Sequence, residues 1–391
     1  MSKSRITELI PRLSALCVFR GLLEKPLLKA LRDFASTTKR VDAYSRFVCE
    51  IYRAGGDLTD CVSQMVFEDE NVYVTAVAAK KAIHPAVGAS VERELETLSM
   101  LASLAPSDFS ALLGDLAVAG FSSREIDLTV EYRARVAEIG RHGFGMFASN
   151  GMFRLSDSSE RRIEPIVSAD GISVTSFTGY ESERARVIAN TQAFVDGKPA
   201  ANVLLYGDAG TGKSSTVKAV ANRFFDQGVR LIELRKDQMS YLPFVMERIS
   251  GNPLKFIIFI DDLSFNRNDD SFSMLKAALE GSASAKAPNA VIYATSNRRH
   301  IVRECFDDRE GTDVHRNDTM QELLSLSARF GLAIRYEKPN KELYLRIVRE
   351  LAEKKGIQKD VTALEIEAEA FALNRGHRSP RCAEQFIDSL L

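Results

Sequence analysis

The chain has 391 residues, which at about 150 residues per domain suggests two or three domains. Its 45% hydrophobic, 27% charged and 8% aromatic residues exclude a wholly disordered chain, a collagen and a long coiled coil. With 52 Lys plus Arg against 53 Asp plus Glu, there is no global basic field to attract nucleic acid or an anionic membrane.

Residues 1–150 read as an N-terminal all-helical domain. Arg5, Glu8, Arg12, Arg20 and Glu24 interrupt the apolar stretches before a signal-peptide core forms. No run anywhere in the chain approaches the roughly 20 apolar residues of a membrane helix, so no membrane partner is expected. Apolar residues at three- and four-residue spacing predict helices over 26–34, 91–104 and 107–118. Pro26 suits a first helical turn, where a missing N–H costs nothing. His84 and His142 are isolated and read as ordinary structural or surface histidines. The five cysteines, Cys17, Cys49, Cys61, Cys305 and Cys382, are odd in number and none is paired as CxxC. That argues against a disulfide framework or a zinc site and for a reducing cytoplasm.

Residues 151–178 read as a linker. Ser156, Asp157, Ser158, Ser159, Glu160, Arg161 and Arg162 make a polar run, Pro165 follows, and the chain then approaches the next domain in extended form. From 179 strands and helices alternate. Apolar runs at 203–206, 229–234, 256–260, 290–295 and 332–336 predict strands, with helical stretches at 214–225 and 239–249 between them. Largely apolar strands separated by helices imply a parallel sheet covered on both faces. Helices are expected again over 341–354, 362–373 and 380–391. The fold class expected is therefore α/β, a parallel sheet over 179–338, with a small helical C-terminal domain over 339–391 and the all-helical domain in front.

The motif that carries chemistry is Gly207-Asp208-Ala209-Gly210-Thr211-Gly212-Lys213-Ser214, with Ser215 behind it. It matches the phosphate-binding pattern GxxxxGK[ST] and lies between a predicted strand and a predicted helix. Glycines let successive backbone N–H groups face phosphate oxygens, and the helix that follows offers its positive end to the same anion. Lys213 is placed for the β- and γ-phosphates and the Ser214 hydroxyl for Mg²⁺, so the cofactors expected are ATP and Mg²⁺. The strand over 256–260 ends in Asp261-Asp262, where side chains enter the ligand crevice of a parallel sheet. Asp261 is a candidate metal ligand, and Asp262 a candidate to orient and activate water. Asn297, at the end of the next strand, is placed to position that water.

This order of parts resembles the AAA+ family of P-loop ATPases over 179–391, which implies a P-loop NTPase (AAA+) parallel sheet over 179–338 and a C-terminal helical lid over 339–391. The resemblance makes Asn297 the sensor 1 residue. It makes Arg329, in Ser327-Ala328-Arg329-Phe330-Gly331, the candidate arginine finger acting on a neighbouring subunit's ATP. It makes Arg381 the sensor 2 candidate, with Arg378 second, and Gly179-Tyr180 the segment that contacts the base. The chain is more closely similar to an uncharacterised group of bacterial AAA+ ATP-binding proteins, through Asn190-Thr191, Leu204-Leu205-Tyr206-Gly207-Asp208, Asp261-Asp262-Leu263-Ser264-Phe265, Leu279-Glu280-Gly281 and Tyr293-Ala294-Thr295-Ser296-Asn297-Arg298-Arg299-His300. In the broad family the second acidic residue is usually Glu. Here it is Asp262, shorter by one methylene, and a misplaced base can cost on the order of a hundredfold in rate.

The closer resemblance implies a similar fold and ATP binding and no client; the first functional reading is an ATP-hydrolysing homo-oligomer that drives conformational change in an unknown protein partner chosen by the helical domain. Asp262 favours an alternative, an ATP-dependent switch or loader with slow turnover. A third reading, action on nucleic acid, rests on the local basic stretch Arg298, Arg299, His300, Arg303 and Arg309. A P-loop kinase would need an acceptor site, and the sequence shows none. Residues 264–270 are polar enough to form a loop.

Overall fold

The structure is a computed structural model that describes residues 5–113, 119–157, 162–166, 171, 173–263, 275, 279, 287–297 and 329–391. The chain divides into two units, residues 1–149 and 150–391.

The described elements of the first unit are helices: α1 (Arg5–Ser14), α2 (Pro26–Ser36), α3 (Arg40–Arg53), α4 (Leu58–Glu68), α5 (Val72–Ala78), α6 (Pro85–Ala102), α7 (Pro106–Leu113), α8 (Leu128–Ala137) and α9 (Ile139–His142), with short 3₁₀ turns between some of them. Local chemistry starts several of them. Pro26 and Pro85 stand in the first turns of α2 and α6. The side chains of Asp57, Asn71 and Asp127 accept backbone N–H groups at the starts of α4, α5 and α8. His84, isolated in the sequence, caps α6 by accepting the Ala86 N–H on its ring nitrogen at 3.2 Å. Phe34, Tyr44, Phe47 and Phe109 pack ring against ring in the core of this unit.

The second unit is built on a seven-stranded sheet of order β2-β1-β4-β5-β6-β3-β7. The strands are β1 (Met152–Leu155), β2 (Ile163–Pro165), β3 (Val203–Gly207), β4 (Val229–Leu234), β5 (Lys255–Ile260), β6 (Ala290–Ser296) and β7 (Leu332–Tyr336). All neighbours are parallel except the antiparallel pair β1 and β2. Helices α10 (Glu181–Val195), α11 (Lys213–Arg223) and α12 (Leu242–Ser250) accompany the sheet. Burial on both faces explains why β5 is apolar without alternation: everything in it from Phe256 to Ile260 is buried.

The linker expected over 151–178 is corrected here, because this segment supplies β1 and β2 to the same sheet. Phe153 of β1 pairs with Ile232 of β4, and Leu155 pairs with Ile163 of β2. Two such short strands give little periodicity to read. Pro165 looks like a breaker but sits in the edge strand, where no ladder partner needs its missing N–H.

The lid helices are α13 (Lys341–Lys354), α14 (Val361–Asn374) and α15 (Pro380–Asp388). They bury a core of their own that includes Tyr344, Val348, Ala368 and Phe386. The observed class is thus the α/β P-loop architecture with a helical lid and a helical N-terminal region that the sequence implies. Register brings the functional strand ends together: Tyr206 pairs with Ser296, Gly207 with Tyr336, and Ile260 with Ala294. No helix among the described residues is long and apolar enough to cross a membrane.

Candidate active site

The loop after β3 is shaped by close backbone approach. Gly207 has φ 127°, and a Cβ there would lie 2.2 Å from the Tyr336 carbonyl oxygen of β7. Only glycine lets β7 come so near. Gly210, at φ 74°, faces the lid: a Cβ there would stand 3.2 Å from Ser379 Oγ and 3.3 Å from Arg381 Cβ. The loop therefore packs against β7 at its start and against the first turn of α15 at its middle. Asp208 ties it further, its N–H donating to Tyr336 O at 3.0 Å and its Oδ2 accepting the Lys338 N–H at 2.9 Å.

Lys213 opens α11 and is buried. Its Nζ donates to Asp208 O at 2.7 Å, Asn297 Oδ1 at 3.0 Å and Gly207 O at 3.1 Å. Asn297 Nδ2 donates in turn to Asp262 Oδ1 at 2.7 Å. One amide thus joins the loop lysine to the second acidic residue. Burial pushes the Lys213 ammonium below the ordinary lysine value, against the opposing pull of Asp208, Asp262 and Asp261.

Ser214 Oγ donates to Asp261 Oδ1 at 2.6 Å. A hydroxyl and a carboxylate meeting in this way form a hard-oxygen donor pair that fits Mg²⁺, an ion bound by few protein ligands and completed by water and phosphate. Asp262 has φ 50°, a left-handed conformation that Asp tolerates better than most residues.

A cleft of about 550 Å³ continues from the loop, lined by Gly210, Thr211, Gly212, Ser215 and Thr216, by Thr178 and Tyr180, and by Ile347, Leu351 and Arg381 of the lid. Its apolar residues and its place beside the loop fit a nucleotide base. Tyr180 stacks on Tyr336 with ring centroids 5.2 Å apart and donates its hydroxyl to Glu337 O at 2.6 Å. Burial pushes the Tyr336 phenol up to about 12, and it donates to Thr216 Oγ1 at 3.2 Å.

The two lid arginines differ. Arg378 is clamped on Glu369, with Nε to Oε1 at 2.8 Å and Nη2 to Oε2 at 2.7 Å. Arg381 lines the cleft, and its backbone N–H donates to Gly210 O at 3.3 Å. Arg329 is not brought to this site. It precedes β7 at the end of the strand away from the loop, since Leu332 pairs with Val203 and Tyr336 with Gly207. The strand alone spans about 13 Å at about 3.3 Å per residue. The basic residues Arg298, Arg299, His300, Arg303 and Arg309, Glu280 and Gly281 of the Leu279-Glu280-Gly281 motif, and the 264–270 loop lie outside the described residues.

Sequence reading missed Thr295, which binds both acidic residues, and Tyr336, Thr178 and the lid residues Ile347 and Leu351 around the cleft. Thr295 carries a faint signal, a hydroxyl in an otherwise apolar strand interior. The others reach the site through tertiary packing, which no local pattern announces.

The family described as "Protein of unknown function (DUF815)" matches residues 148–391. No curated protein matches the chain. Among solved structures, the chain is similar to the RuvB Holliday junction branch migration motor of Thermotoga maritima, at 15% identity, over 56% of this chain and 63% of that one, with a TM-score of 0.38. It is also similar to point variants of the same Thermotoga maritima protein, one at 16% identity over 56% and 64% with a TM-score of 0.39, another at 18% over 55% and 63% with a TM-score of 0.38. In each case the match spans less than two thirds of the RuvB chain.

Proposed function

The chain belongs to the DUF815 family of proteins of unknown function, whose match takes in every residue of the site just described, and from that premise we propose that it is an AAA+ ATPase that binds and hydrolyses Mg²⁺-ATP. The single observation that carries the reading is the linked set Lys213, Asn297 and Asp262 beside the pair Ser214 and Asp261.

Each residue has a definable task. Lys213 and the loop N–H groups bind the phosphates, and Ser214 with Asp261 would hold Mg²⁺. When bound, Mg²⁺ neutralises charge that develops on the β- and γ-phosphates. Asp262 accepts Asn297 on Oδ1, which leaves Oδ2 to orient the attacking water and take its proton. Oxygen of that water bonds to the γ-phosphorus as the bond to the β-phosphate oxygen breaks. Arg381, on the lid beside Gly210, is suited to sense the phosphate through lid position. Arg329 stands too far along β7 to serve its own loop, which supports action on a neighbouring subunit and hence a homo-oligomer. Closure and opening of the lid would then work on a protein client. Cysteine usage supports a cytoplasmic setting.

A second reading, an ATP-dependent switch with slow turnover, is favoured by one specific observation: the short Asp262 side chain is already engaged by Asn297. Nucleic acid as the partner rests on the 298–309 arginines alone. The test of the main reading is steady-state phosphate release by the purified chain with Mg²⁺-ATP, beside Lys213→Ala. Turnover by the wild type that disappears in the variant is expected. Tight ATP binding with negligible turnover would move the assignment to the switch, and no binding would end both.

A further inference from the structure

We infer that Thr295 is a positioning residue of this site, which fixes the Asp261 carboxylate for the metal ion and the Asp262 backbone for water. The inference rests on the Mg²⁺-ATP reading above and deepens it.

Thr295 lies in β6 between two strands of the site: it pairs with Leu205 of β3 on one side, and the neighbouring Ala294 pairs with Ile260 of β5 on the other. Its neighbours in the strand are buried, and it is itself 1% exposed. A buried hydroxyl needs partners, and Thr295 finds them in the acidic turn. Thr295 Oγ1 lies 2.5 Å from Asp261 Oδ1, and the Asp262 N–H donates to Thr295 Oγ1 at 3.0 Å. The carboxylate can only accept and the amide only donate, so the direction of both bonds is settled: Thr295 receives from Asp262 and gives its proton to Asp261. The Thr295 carbonyl also accepts the Leu263 N–H at 2.7 Å. One residue therefore holds three consecutive residues of the turn that follows β5.

Two consequences follow for the chemistry. The hydrogen bonds that the Asp261 carboxylate accepts among the described residues, from Ser214, Asp262 and Thr295, fall on Oδ1. Oδ2 is the oxygen left for Mg²⁺ or its water. The left-handed turn at Asp262 is held by its own N–H, shared between Thr295 Oγ1 and Asp261 Oδ1 at 3.1 Å. Loss of the hydroxyl takes one hydrogen bond from each group at once and removes none of those that Lys213 itself makes.

The experiment titrates the full chain with a fluorescent ATP analogue, once with Mg²⁺ and once in EDTA, with melting curves beside it. Wild type is expected to bind more tightly with Mg²⁺. Thr295→Val keeps the shape and removes the hydroxyl, and is expected to lose about tenfold of that gain, the size of one hydrogen bond to a charged group. Its EDTA affinity should stay at the wild-type value. Thr295→Ser keeps the hydroxyl and should keep the gain. If Thr295→Val does not melt cooperatively, Thr295→Ala takes its place, and the serine variant still has to retain the Mg²⁺ gain. Full gain in Thr295→Val, equal weakening in both buffers, or loss of the gain in Thr295→Ser would each overturn the inference. Wild type that binds nucleotide in neither buffer removes the Mg²⁺-ATP reading itself, an outcome distinct from all three.

Discussion

The buried polar groups gathered around the loop after β3 serve a different end from those of residues 1–149. The latter are consumed by the fold. Glu94 is 7% exposed, and its carboxylate accepts the N–H groups of Cys17, Val18 and Phe19 at 2.9–3.2 Å, closing a turn of backbone that has no ladder of its own. Thr59 donates to Ala102 O at 2.9 Å and accepts the Arg124 N–H at 2.9 Å. In residues 150–391 the buried Lys213, Thr211, Thr216, Thr295, Ser296 and Ser379 gather around the C-terminal ends of four neighbouring strands. Burying polar groups costs free energy unless each is satisfied. Glu94 and Thr59 are spent where the chain needs them, as are Arg230 and Gln238 of the second unit, which donate to the carbonyls of Phe225 and Leu155, whereas the groups around the loop gather where a charged ligand can share them. The contrast teaches that burial of a polar group is not by itself a mark of function; convergence is.

The contrast between the two sets of buried polar groups is open to test by substitution. The largest expected effect is on the site: Lys213→Ala should lower ATP turnover by about a hundredfold or more, as loss of a charge-stabilising donor does, with a melting curve close to wild type. A large drop in melting temperature instead would class Lys213 with the structural groups. Next is Glu94→Ala, which leaves three backbone donors without their acceptor. A loss of about 3 kcal/mol in the stability of the first unit is expected by thermal or urea unfolding, with ATP affinity unchanged. Asn297→Ala comes third. It cuts the link between Lys213 and Asp262, so turnover should fall about tenfold or more while ATP affinity, read by fluorescence, falls much less. An equal fall in both would mean that Asn297 only shapes the loop.

The smallest effect separates the two lid arginines. Arg378→Ala removes a half-exposed ion pair and should cost about 1 kcal/mol or less of lid stability, with turnover intact, whereas Arg381→Ala should reduce turnover with little change in melting. The clamp also has a pH signature. The hydrogen bond from Arg378 holds the Glu369 carboxyl below the usual glutamate range, helped by the charges of Arg378 and Lys341. Its contribution is present above the ordinary glutamate value and is lost as pH falls through the lowered one. Melting temperatures of wild type and Arg378→Ala should therefore converge in acid.

The phosphate loop, the acidic pair and Asn297 were legible because each is a local motif at a strand end, and the parallel sheet follows from apolar runs that need cover on both faces. The three C-terminal helices were legible as helical stretches, with Lys341–Lys354 bounded as expected. Strands β1 and β2 were not, because three or four residues beside a polar run carry too little pattern and Pro165 reads as a breaker until its edge position is known. The roles of Thr295 and Tyr336 depend on which strands are neighbours, which the register decides and no single segment encodes. The helix start at Pro380 already ranks Arg381 before Arg378 in the sequence; the pairing of Arg378 with Glu369, a residue on another helix, was not legible there.

Under the proposed function, this unit supplies one part of an ATP site that a neighbouring copy completes. The most direct measurement is ATP turnover per chain against protein concentration, for wild type, for Lys213→Ala, for Arg329→Ala, and for the two variants mixed. The account predicts that wild-type turnover per chain rises with concentration and that each variant alone is inactive. It further predicts that mixing restores part of the activity, since the lysine variant lends Arg329 to a partner whose loop is whole. Turnover per chain that is independent of concentration, with no recovery on mixing, would contradict it.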